Sequence, residues 1–287
     1  MKRFILLVTG TSLLAAAPVM AQDFSGVEVK VHEVAGNLRY LEGAGGNIGL
    51  LTGDDGVVLI DGQYAPLTDK LVAAIRTVSD GDILMVINTH MHPDHTGGNE
   101  NFGRMGAVLI GRDEMRTQMA ASGYEETPPF VTFSEDITVH RNDETVHVFK
   151  VMDAHTNNDS YVKFENANVI HTGDVFRTTA YPYPDLNNGG SFLGLLNAHS
   201  LLLDLADEDT KILPGHGVLT DRESVREVRD MLVVIRDRVE QAILDGLTLE
   251  QAQAAGLTEE YDERWAADRR IGSPWALIEA AYADLAE

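Results

Sequence analysis

The segment Thr89-His90-Met91-His92-Pro93-Asp94-His95-Thr96-Gly97-Gly98 constrains this chain more than any other. It places three imidazoles and a carboxylate within six residues. Packed into an apolar core, each of those groups would need its own polar partner, so the cluster reads as a site. It comes directly after Ile83-Leu84-Met85-Val86-Ile87, a continuous apolar run of strand length, as expected for a strand covered on both faces. The carboxyl end of such a strand is where α/β proteins present their chemistry. Imidazole and carboxylate are ligands that zinc accepts. In an extended turn His90 and His92 point the same way and can share one ion, while Asp94 and His95 face a neighbouring position. Pro93 and the paired glycines are expected to set the tight turn that gathers them.

Around this segment the chain reads as layers. Gly49-Leu50-Leu51-Thr52 and Val57-Val58-Leu59-Ile60 flank Gly53-Asp54-Asp55-Gly56 and predict a hairpin. Residues 67–78 predict a helix with Leu67, Leu71, Ala74, Ile75 and Val78 on one face. Further strands are expected over 145–151, 161–164, 169–172 and 212–213, and a helix over 191–205. Thr220 and Glu223 suggest a capping box. Val225, Val228, Leu232, Ile235, Val239 and Ile243 then form an apolar stripe, either a helix packed on a sheet or a dimer seam. The order of elements implies an α/β (α+β) protein with helices covering sheet. With no linker or repeat, residues 22–287 are expected to form a single domain, and 220–287 a helical C-terminal extension packed on it.

A four-residue cluster cannot complete two coordination shells. Three later candidates stand where strands give way to loops: His155 in Asp153-Ala154-His155-Thr156, Asp174 closing His171-Thr172-Gly173-Asp174, and His216 in Pro214-Gly215-His216-Gly217. With Leu59-Ile60-Asp61-Gly62 and His90 to Gly98, these motifs resemble the metallo-β-lactamase superfamily, in that family's order and over nearly the whole chain after residue 21. The resemblance implies an αββα sandwich of two mixed sheets flanked by helices, with two zinc ions per chain at one edge. Carried over by position, His90, His92 and His155 resemble ligands of the first zinc, and Asp94, His95 and His216 those of the second. Asp174 looks like the carboxylate bridging both. Asp61 matches a carboxylate that hydrogen-bonds the metal loop, with capping of a turn as the lesser alternative. Two zinc ions with two aspartates leave a charge of roughly +2.

The implied chemistry is hydrolysis by a metal-activated hydroxide at a carbonyl, with Asp94 as the catalytic carboxylate that orients the water. Opening of a β-lactam ring is the first expectation, weak and promiscuous if so. Asp174 departs from the cysteine or serine of the best-known lactamase subclasses and resembles the carboxylate of lactonases, glyoxalase II and phosphodiesterases of the superfamily. That makes a lactonase, esterase or thioesterase the alternative. Asn157-Asn158-Asp159 replaces the Pro-Gly-His of glyoxalase II itself. A persulfide dioxygenase with a single iron is the reading from another class, whereas flavodiiron proteins need a carboxylate where His92 stands. The loop after Asp174, with Tyr181, Tyr183 and Asn188 leading to Phe192, reads as a substrate wall or as a connection whose Ser191 caps the next helix. Tyr64 is placed at the same cleft. His171 reads as packed beside the site, and His32, His140, His147 and His199 as structural or surface groups.

Met1-Lys2-Arg3, an apolar stretch from Phe4 to Ala17 and Val19-Met20-Ala21 predict a signal peptide over residues 1–21, cleaved after Ala21. Export to a periplasm is therefore expected, without a stable membrane anchor, since a chain of no cysteines offers no lipidation site. The same lack excludes disulfides, a thiol nucleophile and iron–sulfur clusters. With 45 acidic against 22 basic side chains the chain carries −23, an unlikely partner for nucleic acid. A small-molecule substrate is expected instead.

Overall fold

The computed structural model describes residues 23–122, 126–267 and 271–286, so the expected signal peptide lies outside the described residues. Seven strands form the first sheet in chain order: β1 (Lys30–Ala35), β2 (Leu38–Glu42), β3 (Ile48–Leu51), β4 (Val57–Ile60), β5 (Ile83–Ile87), β6 (Val108–Arg112) and β7 (Val131–Phe133). β1 to β4 form an antiparallel meander that includes the predicted β3–β4 hairpin, and β4 to β7 run parallel. The second sheet holds β8 (Asp136–Arg141), β9 (Glu144–Lys150), β10 (Ser160–Phe164), β11 (Val169–His171), β12 (Lys211–Leu213) and β13 (Thr220–Asp221), in the order β13-β12-β11-β10-β9-β8. β11 and β12 are parallel and the other neighbours antiparallel.

Strand periodicity explains the layering. Val58 and Ile60 of β4 face the second sheet and join Ile87, Ile110, Val146, Val148, Val162 and Phe164 in a core between the sheets. Val57 and Leu59 point the other way, onto the helical layer of α1 (Thr68–Ile75), α2 (Pro93–Thr96) and α3 (Asn99–Arg104), where Leu71, Ile75 and Phe102 meet them. α4 (Asp113–Ser122) comes after β6. On the outer face of the second sheet lie α5 (Phe192–Leu205), α6 (Arg222–Leu244), α7 (Leu249–Ala254), α8 (Glu259–Trp265) and α9 (Pro274–Leu285). This is the αββα sandwich that the sequence led us to expect.

Some local expectations shift. α1 stops at Ile75, short of residue 78, because Arg76 to Ser79 turn back with backbone bonds to Val72, Ala74 and Ile75. Ile83, Val86 and Ile87 are buried, but Leu84 and Met85 are only half-buried, so β5 is not covered along its whole length. No capping box forms at Thr220: the N-cap of α6 is Asp221, which accepts from the Ser224 amide, while Thr220 bonds the Ser224 hydroxyl. The apolar stripe of α6 packs inside the chain with α5 and α9, and Ala242 takes the buried place next to a half-buried Ile243. Among the described residues no helix is long and apolar enough to cross a membrane.

The parallel pairs determine where chemistry can be presented. β4 and β5 end side by side, as do β11 and β12. Their carboxyl ends release Asp61, the loop 88–92, Thr172 to Asp174 and Pro214 to Gly217 at one edge of the sandwich.

Candidate metal centre

Three histidines meet first. His90 and His155 are buried, and His92 is the extended residue ahead of α2. His90 Nε2 lies 3.1 Å from His92 Nδ1, and His155 Nε2 lies 2.9 Å from that same nitrogen. Each ring is held from behind by its other nitrogen. His90 Nδ1 is 3.0 Å from Thr89 Oγ1, His92 Nε2 is 3.0 Å from Asp185 Oδ2, and His155 Nδ1 donates to the Tyr183 carbonyl at 2.5 Å. Burial, then the neighbouring His95, holds His90 well below the ordinary imidazole range. Burial and His92 bring His155 down to about 3. Both are therefore neutral, with lone pairs turned to a common point, which is the state a metal needs.

Asp94 and His95 come from the single helical turn α2, not from an extended turn. Pro93 opens that turn at its first position, where a missing N–H costs nothing. Gly97 and Gly98 keep helical torsions of φ −55° and −74°, so they do not form the tight turn expected of them. A Cβ on Gly98 would strike the Gly62 carbonyl, and close approach is their reason. His95 Nδ1 lies 2.7 Å from Asp61 Oδ2, and Asp61 also accepts from the Thr89 amide and hydroxyl, both at 2.8 Å. Asp61 is wholly buried at φ +70°, a left-handed position rare outside glycine. It thus braces His95 and the loop.

His216 Nε2 stands 3.1 Å from Asp94 Oδ2 and 3.3 Å from Asp174 Oδ2. His95 Nε2 stands 3.1 Å from Asp174 Oδ1 and 3.8 Å from Asp94 Oδ2. In spite of burial, Asp174, Asp61 and Asp94 lift His95 well above the ordinary range, and Asp174 and Asp94 lift His216. Burial opposes ionisation of the two aspartates, but His95 and His216 outweigh it and hold Asp94 and Asp174 below the usual carboxylate range.

These residues fit metal ions. His90, His92 and His155 form one group, His90, His95 and Asp174 a second, and Asp94, His95 and His216 a third, with the donor atoms of each within 4.8 Å of one another. His95 Nε2 and Asp174 Oδ1 face each other at 3.1 Å, both buried and neither in hydrogen-bond geometry with any other group. The backbone is cut away for them: a Cβ on Gly46 would enter the His95 ring, and one on Gly215 would strike Asp174 Oδ1. Nitrogen and carboxylate donors suit zinc and similar divalent cations.

All seven expected ligands thus come together, and the groups open on a cavity of about 710 Å³. Tyr64 and Tyr183 line it as expected. Tyr181 and Phe192 do not, because both are wholly buried in the helical core, where the Tyr181 hydroxyl donates to Asp262 at 2.8 Å. Asn188 is turned away too, donating to Asp185 at 2.7 Å and accepting from Gln118 at 3.0 Å. Ser191 caps α5 by accepting from Gly194, so the loop is part wall and part connection. His171 is packed, its Nε2 3.0 Å from the Asn47 carbonyl.

Several supporting residues escaped the sequence reading. Asp185 holds His92, and its Pro184-Asp185 turn signature was the one available signal. Arg112 is buried at the end of β6 and donates to the carbonyls of Val151 and Asn157 at 3.3 and 3.2 Å, pinning the loop that carries His155. Arg177 donates to Asp174 Oδ2 at 2.7 Å. Val218 and Ile271 add exposed apolar surface at the cavity mouth.

The profile described as the metallo-beta-lactamase superfamily matches residues 41–216 of this chain. The match includes all seven candidate ligands and stops before α6, a narrower likeness than the nearly complete one expected. Among solved structures, the metallo-beta-lactamase from Pontibacter korlensis is 18% identical with a TM-score of 0.64, covering 72% of this chain and 99% of its own. The DIM-1 metallo-beta-lactamase is 16% identical, TM-score 0.64, with 72% and 98% covered. The metallo-beta-lactamase FIM-1 from Pseudomonas aeruginosa, in its mono-zinc form, is 17% identical, TM-score 0.63, with 72% and 95% covered. At such identities the likeness is one of fold. The profile match spans more than half of the chain, and this protein belongs to the metallo-beta-lactamase superfamily as a metal-dependent hydrolase.

Proposed function

We propose that the protein is an exported zinc hydrolase that opens a β-lactam ring, acting from residues 22–287 as one domain with residues 220–287 packed on it as a helical extension. The observation that supports this most is that Asp174 lies between two ligand groups that open onto one cavity. When bound, two divalent cations supply Lewis acidity to a carbonyl and bring the ionisation of water near neutral pH. The chain supplies the rest. Asp94 Oδ2, fixed beside His216 Nε2 and partly open to the cavity, orients water and carries its proton towards the departing nitrogen. His90, His155 and His92 are held by Thr89, the Tyr183 carbonyl and Asp185, so their inward nitrogens need no reorganisation. Tyr64 and Tyr183 line the cavity in which the substrate would sit.

The donor set favours a second reading. Asp174 gives the site oxygen where the best-known lactamases have cysteine or serine, as in superfamily lactonases, and a lactone, ester or thioester fits the same geometry. Purified protein with added zinc, assayed on β-lactams, lactones, esters, thioesters and phosphodiesters, separates these readings by second-order rate. Ring-opened lactam supports the first. Fast lactone turnover with intact lactam overturns it and leaves the second. Metal analysis is expected to give two zincs per chain, and a single iron would indicate oxidation chemistry. For export, periplasmic fractions should contain a chain that begins at Gln22.

A further inference from the structure

The loop that carries His155 runs on through Thr156-Asn157-Asn158-Asp159, short polar side chains that bond readily to nearby backbone. Here Thr156, Asn158 and Asp159 are buried and the run folds on itself. Asp159 accepts from the Thr156 amide at 2.8 Å and from its hydroxyl at 2.7 Å, and the Asn158 amide donates to that hydroxyl oxygen at 3.2 Å. The Asn158 side chain points out of this turn to the neighbouring loop. Its carbonyl accepts from the Met91 amide at 3.0 Å, and Met91 stands between His90 and His92. One wholly buried side chain on the His155 loop therefore holds the backbone of the other two histidines.

The other end of the same amide reaches a ring. Asn158 Nδ2 donates to Gln118 Oε1 of α4 at 2.9 Å, Gln118 Nε2 to Asn188 Oδ1 at 3.0 Å, and Asn188 Nδ2 to Asp185 Oδ2 at 2.7 Å. Asp185 Oδ2 lies 3.0 Å from His92 Nε2. A donor meets an acceptor at every link, so turning over any one amide would set like against like. The series ends on a carboxylate, which only accepts, and His92 then donates from Nε2 and keeps its Nδ1 lone pair towards His90 and His155. A cation binding to loops free to part must offset the ordering of those loops, whereas a bond made on folding takes that cost out of the binding step. We infer that Asn158 is a positioning residue that joins the His155 loop to the His90–His92 loop and, through Gln118, orients His92, so that the three nitrogens are gathered before a cation arrives. The inference rests on the reading that these histidines bind metal.

The test compares two variants of similar volume in the full chain. Asn158→Leu removes both the acceptor and the donor. Asn158→Asp keeps an oxygen for the Met91 amide but sets its second oxygen against Gln118 Oε1 and Asn157 Oδ1, so it loses stability with the Met91 bond intact. Zinc affinity, from chelator competition on metal-free protein, should fall ten- to hundredfold in Asn158→Leu and stay within about threefold of wild type in Asn158→Asp. Denaturant unfolding of the metal-free proteins should show both variants weakened, and a merely structural role would carry affinity down with stability in both. Unchanged affinity in Asn158→Leu, or equal losses in the two variants, overturns the inference. If Asn158→Leu does not fold, Asn158→Asp decides alone, and a loss beyond about threefold overturns it. In metal-free wild type the Met91 amide should exchange hydrogen at least about a hundredfold more slowly than a free peptide amide. An unprotected Met91 amide overturns the inference whichever variants fold. A wild type that binds no zinc refutes the metal reading and this inference with it, whereas zinc bound equally by wild type and Asn158→Leu refutes the inference alone.

Discussion

Inward-facing histidines are satisfied in opposite ways in two regions of this molecule. At the loop edge His90, His92 and His155 each give one nitrogen to a polar group behind them and turn the other towards a shared point. In the helical layer behind the second sheet, His199 on α5 sits 2.8 Å by Nδ1 from the Leu195 carbonyl, packs edge-on against Phe176, and has no hydrogen bond at Nε2. The first region gathers lone pairs and like groups, an arrangement that favours binding over stability. The second is an apolar core of α5, α6 and α9 against which His199 is packed. The difference teaches a division of labour: the layer supplies stability, and the edge draws on it to hold groups that would rather separate.

The largest expected effect breaks the edge alone. Asp94→Ala should lower kcat/KM about a thousandfold or more, the upper part of the range for a positioned acid–base group. Circular dichroism and the unfolding midpoint should stay at wild type. Full activity in this variant would remove Asp94 from the mechanism.

The converse change is in the layer. Leu232 is completely buried in α6, and Leu232→Ala should cost about 3 kcal/mol by transfer and cavity terms. Denaturant unfolding should show that loss, while zinc content and kcat/KM at 25 °C remain unchanged. If metal binding falls in step with stability, the two regions are not separate.

These two regions also differed in how much the sequence disclosed. The layer was readable from periodicity: the α6 stripe from Val225 to Val239 is the buried face of the helix, and only its cap slipped by one residue, from Thr220 to Asp221. All seven candidate ligands could be named, because the His90–His95 motif and the strand-end positions of His155, Asp174 and His216 are local and their order resembles a known family's. Their braces could not. Asp185 reaches His92 across 93 positions and Arg112 reaches Asn157 across 45, and no short-range pattern records such approaches. Tyr181 and Phe192 misled for the opposite reason: adjacency to Asp174 suggested the cavity, but large rings gain more by entering the core.

Asp61 tests whether the braces act on metal or merely on folding. Asp61→Asn keeps the volume and an oxygen for Thr89 but loses the charge beside His95. Zinc affinity should fall ten- to hundredfold, the usual cost of disturbing such a partner, in a chelator competition. Unchanged affinity would make Asp61 a packing group.

The smallest effect asks whether the histidine of the layer is inert. Burial brings His199 down to about 4 from an ordinary value of 6.5, despite the Leu195 carbonyl. Its protonation is thus favoured by the unfolded chain, which binds the proton at higher pH than the folded one. The stability it allows is fully present above pH 6.5 and is lost as pH falls towards 4. Site carboxylates also respond to acid, so the comparison must be a difference between proteins. His199→Leu removes the titration and leaves the edge untouched. The wild-type minus His199→Leu stability, from urea unfolding at pH 7.5 and 4.0, should drop by about 3 kcal/mol, in the order expected for such a shift. At pH 7.5 alone the variant loses the Leu195 bond but also an unsatisfied nitrogen, and those terms oppose each other. A difference independent of pH would show that His199 takes up its proton as readily in the folded chain as in the unfolded one. The contrast between the regions would then lie in their metal ligands and not in how each bears a proton.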